Sequence, residues 1–355
     1  MPINQQTYQN FYMVPIDNTN SYLLKDLVRY QAMHHKCKCV WDSGDKQSFE
    51  RLQTIVDNNV NGTGGFYIFA NGRREPDAYV IHMPIVSEQG SGLYLEDICV
   101  RPQCRHSGLG LFAMSELANL AEETGRQYLS WVVAGNNEDA LRFYERFEAQ
   151  GEETVPYFMS SADLRVSDHD YLNNTEELTR QDLLRVRQFC HYNGFSNAFA
   201  AFEDGHRLVA SVDERGRINA ISMGSINTST FRAVQGLDVS EVLFSRELRE
   251  NDNLRLTVQN NLINRNIDIS AQTGTTGHMI WGINRGDKVL QNSICERFNA
   301  EILIMTDEPE SILNRKFLDS RQMRKMVQQH KARVIPQTRY AAAAAFYGKR
   351  GQYGE

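Results

Sequence analysis

Leu93-Tyr94-Leu95-Glu96-Asp97-Ile98-Cys99-Val100 reads as a strand, and Arg105-His106-Ser107-Gly108-Leu109-Gly110 follows it at the head of a helical pattern. Leu109, Phe112, Ala113, Leu117, Leu120 and Ala121 recur three and four apart, which predicts a helix over 109–123 with one apolar stripe. A strand that passes through a glycine loop into a helix is a physical anion site, because unpaired backbone N–H groups and the positive helix end converge there. Gly108 and Gly110 remove Cβ atoms where a phosphate would approach, and Arg105 adds a charge at the mouth. A lone Gly-x-Gly is as readily a simple turn. This one lacks the Lys-Ser/Thr ending of a P-loop and is one glycine short of the dinucleotide fingerprint.

Upstream, Tyr22 to Tyr30 and Phe49 to Val56 have helical spacing, and Gly65 to Ala70 with Ala78 to Met83 form a hairpin pattern around Asn71-Gly72. Downstream, Tyr128 to Ala134 reads as a buried strand, Asn137 to Phe147 as a helix, and Val155 to Ser160 as the strand that closes a mixed α/β domain near Arg165. The second half replays this order. Thr175 to Tyr192 is helical in pattern, Arg207 to Val212 and Ile218 to Ile226 pair across a turn, and Val239 to Phe244 is a further strand. Helix, strand, helix and strand patterns then follow over 254–269, 278–283, 289–298 and 301–305. Tyr144-Glu145-Arg146-Phe147-Glu148-Ala149 also matches Cys295-Glu296-Arg297-Phe298-Asn299-Ala300, which sets Cys295 in the place of Tyr144. Matched element order predicts a duplication. The expected division is a first domain over 1–165, a second over 166–308, then a basic helical arm and a flexible tail over 309–355.

At 355 residues the chain is too long for one ordinary domain, and 41% hydrophobic residues can fill real cores. No apolar run approaches the roughly 20 residues of a membrane helix, and the polar start lacks a signal-peptide pattern, so a cytoplasmic protein without membrane association is expected. The six cysteines are then expected as reduced thiols. His34-His35-Lys36-Cys37-Lys38-Cys39 could hold a soft metal, but with no second, distant pair it reads as a polar connector, and no metal site is expected. The net charge of −6 hides an asymmetry: from Asn314 to Glu355 ten Lys or Arg face two acids, a balance of +8 that leaves −14 on residues 1–313. An acidic body concentrates cationic ligands. The basic arm leaves a nucleic-acid partner open, although a solvated helix face and a mobile end account for it more simply.

Asn137 is a natural helix cap followed by acids, and 137, 140 and 144 share one helix face. By itself this segment reads as a capped amphipathic helix with Tyr144 in the core. Taken together, Leu93 to Asp97, Arg105 to Gly110 and Asn137-x-x-Ala-x-x-Phe143-Tyr144 resemble the GNAT superfamily of acetyl-coenzyme A-dependent N-acetyltransferases, over about residues 20–162. Within it they look most like the spermidine/spermine (diamine) acetyltransferases. Phe147 departs from the glycine corner that many relatives keep nearby. The resemblance implies a GNAT fold: α/β, with a central mixed, mostly antiparallel sheet flanked by helices, here duplicated. It implies acetyl-coenzyme A as cofactor, its pyrophosphate on Arg105, His106, Ser107, Gly108, Leu109 and Gly110. The pantetheine would run beside Ile98, Cys99 and Val100, with Asn137 hydrogen-bonding the cofactor. Glu96 is the candidate base, directly or through water, and Tyr144 the candidate general acid. Glu96 and Asp97 would attract a small cationic amine. The second copy, with no glycine and three acids between Ser245 and Leu254, is expected to bind no coenzyme A and to serve as scaffold, dimer surface or pocket wall. Alternative readings are a protein or peptide N-acetyltransferase and a coenzyme A-binding regulator with a nucleic-acid-binding tail. A homodimer is a further open reading.

Overall fold

The computed structural model describes residues 11–24, 53, 62–70, 73–87, 90–135, 137–160, 174–195, 206–228, 235–272, 278–284, 286–298, 301–302 and 313–331. The first half runs β1 (Phe11–Pro15), β2 (Gly64–Ala70), β3 (Ala78–Ser87), β4 (Gly90–Val100), α1 (Leu109–Glu123), β5 (Tyr128–Ala134), α2 (Glu138–Glu145) and β6 (Gln150–Ser160). The second runs β7 (Thr175–Leu178), α3 (Leu183–Asn193), β8 (Arg207–Val212), β9 (Ile218–Thr228), β10 (Gln235–Phe244), α4 (Arg246–Arg249), α5 (Asp252–Gln272), β11 (His278–Asn284), α6 (Lys288–Phe298) and β12 (Glu301–Ile302). β13 (Leu313–Asp319) and α7 (Ser320–Lys331) follow.

The apolar stripe of α1 explains its placement. Leu109, Phe112, Ala113, Leu117 and Ala121 are buried with Phe66, Ile68, Val80, Leu93, Leu95 and Trp131 from the sheet. The helix expected over 175–192 starts later: Thr175–Leu178 pairs with β8 as a strand, and Thr179 opens the helical segment with a capping box to Asp182. The expected helices at 22–30 and 49–56, the His34 to Cys39 stretch and the tail beyond 331 fall outside the described residues, apart from a short 3-10 turn at Ser21–Leu23. No described helix is long and apolar enough to cross a membrane, and the described residues hold no cluster of three potential metal ligands.

The strands form one mixed sheet, ordered β1-β2-β3-β4-β5-β13-β6-β11-β10-β9-β8-β7, with β12 also on β6. Parallel pairing occurs at corresponding places in the two halves: Gly92–Leu95 with Tyr128–Trp131, and Gly236–Val239 with His278–Trp281. Immediately after the last pair, each of β4 and β10 carries one extra residue against its antiparallel neighbour, Glu96 in the first half and Ser240 in the second. A bulge at the same step beside a tryptophan at the same step is a geometric repeat that three matching letters could only suggest.

Two segments lie elsewhere than expected. Val155 to Ser160, expected to close the first half, pairs with β11 and β12 of the second, and only Gln150–Thr154 stays with the first through β13. β13, expected within a basic arm, lies between β5 and β6, with Leu313–Asp319 against Ala134–Tyr128. Each half therefore lends the other a strand. The reason is burial: Leu318 and, from α7, Met323, Met326 and Val327 are buried in the same core as α1. The helical pattern beyond residue 309 is real in α7, but that helix covers α1 instead of standing free. Two of its cations meet acids of the first half, Lys325 with Glu148 at 2.6 Å and Arg324 with Glu122 at 3.6 Å.

The corner after α2 also depends on α7. Glu148 stands there at φ 57°, a left-handed conformation that glycine adopts more readily. Gln322 donates to the Glu148 carbonyl at 2.6 Å and so holds the turn from outside.

If the C-terminal segment is core and not appendage, Leu318→Ala should cost about 2–4 kcal/mol in urea unfolding of the full chain, while Lys325→Ala, an exposed ion-pair change, should fall within about 1 kcal/mol. Equal small effects would show that β13 does not carry the first half.

Candidate active site

The parting of β4 from β5 builds the site. Their shared pairs end at Leu95 and Trp131, yet β4 continues to Val100 and β5 to Ala134. From Glu96 onward β4 keeps β3 on one side and leaves β5 on the other, so a wedge opens between the strands with backbone polar groups along it. Ile98 and Val100 line the α1 side of β4, packed against the core, while Cys99 is buried on the opposite side. The Val100 carbonyl accepts a hydrogen bond from Arg105 Nε at 3.3 Å, which holds the guanidinium at the end of the strand.

At the wide end of the wedge stands the N-terminus of α1. Gly108 occupies the N-cap at φ 90°, and α1 has neither a side-chain cap nor an acidic residue in its first turn. His106 at φ 61° puts a second left-handed residue in the loop ahead of α1. Ser107 Oγ donates to the Cys104 carbonyl at 2.6 Å, and Leu109 is buried in the core. The loop is braced from behind: Asp77 accepts from the Ala70 N–H at 2.8 Å, Arg73 at 2.7 Å and the Cys104 thiol at 3.2 Å. Arg101 donates to the Pro76 carbonyl at 2.8 Å. An uncapped helix start behind a rigid loop fits an anionic group such as a pyrophosphate.

Gly110 has a different reason from the one expected. A Cβ there would stand 3.2 Å from the Phe143 ring, so this glycine lets α2 pack against the start of α1. Asn137 caps α2, its Oδ1 accepting from the Ala140 N–H at 3.2 Å. Tyr144 is buried, 4.9 Å from Trp131 between ring centroids, with Phe143 at 5.1 Å. Burial first, and the negative charge of Asp97 second, push the Tyr144 phenol well above its ordinary pKa, so it keeps its proton at neutral pH.

The two carboxylates separate. Glu96 sits half-buried on the bulge, whereas Asp97 is buried and accepts a hydrogen bond from Tyr79 Oη across the β3–β4 pair. Burial, with Asp97 adding to it, pushes the Cys99 thiol up to about 12, so it stays neutral. Trp131 and Tyr79 are not among the candidates that the sequence offers, whereas Phe143 belongs to the Asn137 to Tyr144 motif. Trp131 and Phe143 carry aromatic packing around Tyr144, and Tyr79 reaches the site only through strand register.

The second half keeps the parting and the bulge, but its described helix starts carry side-chain caps. Ser245 Oγ accepts from the Leu248 N–H at 3.4 Å, and Asn251 Oδ1 accepts from the Leu254 N–H at 3.1 Å, with Asp252 in the first turn of α5. Arg255 pairs with Asp252 at 3.2 Å and with Asp287 at 3.9 Å, joining the start of α5 to the cap of α6. Asp287 caps Leu290 at 3.1 Å as Asn137 caps Ala140. Counting from these caps, Tyr144 corresponds to Ile294 and not to Cys295. Ile294 is fully buried as Tyr144 is, and Cys295 is exposed. The letter-for-letter alignment slipped by one residue because α6 runs on through Phe298 while α2 stops at Glu145.

These environments predict alkylation behaviour. In the folded chain at pH 8, peptide mapping after brief iodoacetamide treatment should find Cys295 modified and Cys99 intact; early modification of Cys99 would contradict its burial.

Residues 23–148 match the Acetyltransferase (GNAT) family model. Thialysine N-epsilon-acetyltransferase of Caenorhabditis elegans is 26% identical over 137 residues, 39% of this chain and 81% of that protein. L-ornithine N5-acetyltransferase NATA1 of Arabidopsis thaliana is 36% identical over 59 residues, 17% of this chain and only 26% of that protein. A GCN5-related N-acetyltransferase from Sphaerobacter thermophilus superposes with a TM-score of 0.50 at 11% identity, covering 87% of this chain and 96% of that one, so the likeness in fold extends over both halves. Wedge, uncapped helix and family match converge on one stretch: residues 23–148 are similar to the GNAT acetyltransferases, and the likeness in fold runs through both halves.

Proposed function

We propose that the protein transfers an acetyl group from acetyl-coenzyme A to the primary amine of a small cationic molecule, in the wedge between β4 and β5. The observation that carries this reading is the uncapped start of α1 at the mouth of that wedge, beside a buried, protonated Tyr144. The relatives named for thialysine and L-ornithine favour a small amine over a protein chain. Acetyl-coenzyme A, when bound, supplies an activated thioester. The N–H groups of residues 106–110, with Arg105, would hold its pyrophosphate. The end of β4 from Ile98 to Val100 would hold its pantetheine, and the Asn137 amide would hydrogen-bond it from the start of α2.

An alkyl amine carries a proton at neutral pH, its pKa being about 10.4, and it must lose that proton before it can attack. Glu96, half-buried on the bulge, would take it directly or through water. Tyr144 holds a proton at Oη in a dry aromatic setting and would give it to the leaving group. Asp97 adds a buried negative charge that draws a cation toward the wedge. Residues 166–308 would bind no coenzyme A, since the corresponding helix starts carry their own caps and the position of Tyr144 is Ile294.

The decisive experiment is an acetyl-coenzyme A consumption assay against polyamines, basic amino acids, aminoglycosides and Lys peptides. Turnover confined to Lys peptides would replace the small-amine reading with the peptide one. Tyr144→Phe should lower kcat by about 10²-fold or more, with binding of coenzyme A kept. Wild-type kcat in that variant across the pH range would remove the general-acid role. Gly108→Trp should abolish coenzyme A binding in calorimetry, and the wild-type chain should titrate to one site; two sites would overturn the assignment of the second half.

A further inference from the structure

Behind the loop that leads into α1 lies a carboxylate for which the acyl transfer has no use. Asp77 is 1% exposed, just ahead of β3, and its side chain accepts from three donors: the Ala70 N–H on Oδ2 at 2.8 Å, and Arg73 at 2.7 Å and the Cys104 thiol at 3.2 Å on Oδ1. Its main chain is engaged as well, the Asp77 carbonyl accepting from the Arg101 N–H at 2.9 Å. Arg101 and Cys104 are the two ends of one tight turn, closed by the Cys104 N–H on the Arg101 carbonyl at 2.9 Å. Cys104 then passes the hold forward, since its carbonyl accepts from Ser107 Oγ at 2.6 Å. The residues beyond it reach the surface: His106 is exposed, and Arg105, Ser107 and Gly108 are partly so. One buried residue thus grips the root of a loop whose tip meets solvent.

We propose that Asp77 is a positioning residue for the coenzyme A pyrophosphate: through Cys104 it fixes the loop over 105–108 in its binding form before the cofactor arrives. This rests on the acetyl-coenzyme A reading above. A backbone anion site binds well when its loop is held in advance, because the cost of ordering a loose loop is subtracted from the affinity. Cys104 can make the link: burial first, and the hydrogen bond to Asp77 second, push its thiol above the ordinary pKa, so it keeps the proton that it donates. The carboxylate charge is met by Arg73, whose side chain is half-exposed. On charge alone, a negative group behind a phosphate site is unfavourable. Geometry accounts for it instead, since its two oxygens accept from donors on three separate segments, the end of β2, the turn after it and the loop. Asparagine has one oxygen, so whichever way its amide lies an N–H would face a donor.

Charge and position predict opposite signs for Asp77→Asn. If only its charge mattered, the variant would bind coenzyme A more tightly; if Asp77 positions the loop, binding weakens. In the full-length chain, calorimetry with coenzyme A should show Kd raised roughly tenfold in Asp77→Asn, as expected for hydrogen bonds lost at a charged group. Cys104→Ala, which cuts only the link to the loop, should weaken binding in the same direction, and Cys104→Ser, which restores a donor, should recover part of the loss. The defect should also depend on the phosphates. With 1,4-diaminobutane as acceptor, the KM for acetyl-coenzyme A should rise roughly tenfold in Asp77→Asn with kcat within about twofold, whereas S-acetylpantetheine, an acyl donor without a pyrophosphate, should keep its kcat/KM within about twofold. Wild-type or tighter binding of coenzyme A in either Asp77→Asn or Cys104→Ala would overturn the proposal. An equal loss with both acyl donors would overturn it too, because the damage would then not lie at the loop. If Asp77→Asn does not fold, Cys104→Ala decides by the same measurements. A wild-type chain that binds no coenzyme A would sink the acetyl-coenzyme A reading itself, an outcome told apart from the others because it needs no substitution.

Discussion

Two parallel strands that share four residue pairs and then separate create the condition on which the rest of this structure depends. Backbone N–H and C=O groups in a sheet interior must be paired, and after Leu95 and Trp131 those of β4 and β5 no longer pair with each other. The bulge at Glu96 marks the change and turns the next carboxylate, Asp97, into a buried hydrogen bond with Tyr79. α1 begins at the wide end, and α2 brings Tyr144 over Trp131. Strand, loop and both helices thus come together where β4 and β5 part.

The second half shows what happens when the same opening is closed. It keeps the parting of the strands and the bulge, the features set by backbone pairing. It changes the features set by side chains: Ser245 and Asn251 satisfy the helix starts, Arg255 ties Asp252 to Asp287, and a buried aliphatic stands where the phenol would be. Each half supplies a strand to the other, so the packing of either depends on both.

Local patterns were the legible part of the sequence. α1 and β5 occupy the residues that their apolar spacing indicates, 109–123 and 128–134, because periodicity and a glycine before the helix are short-range signals. What stayed hidden depends on partners distant in sequence. β6 reads as a strand, but nothing in its letters says that it divides between two halves. The run Leu313 to Asp319 contains Asn, Arg, Lys and Asp and looks like a charged arm until its neighbours are known. Tyr79 and Asp97 are eighteen residues apart and meet only through register. Gly110 read as room for a ligand, and its open side proved to hold Phe143. The offset of one between Cys295 and Ile294 arose because identity of letters outweighed the count from the helix cap.

The exchange of strands has a consequence for how this protein is made. Ribosomes add about 5–20 residues each second, and domains generally fold as they emerge. Here the first half cannot complete its sheet when Ser160 appears, because the strand that belongs beside β5 ends at Asp319 and the helix that covers α1 ends at Lys331. At that pace the edge of β5 waits on the order of ten to thirty seconds for its neighbour. During that interval an unpaired strand and the bare flank of α1 are exposed to solvent and to other nascent chains. The newborn chain is therefore a natural client for chaperones, and a pause in translation between residues 160 and 313 would lengthen its dependence on them.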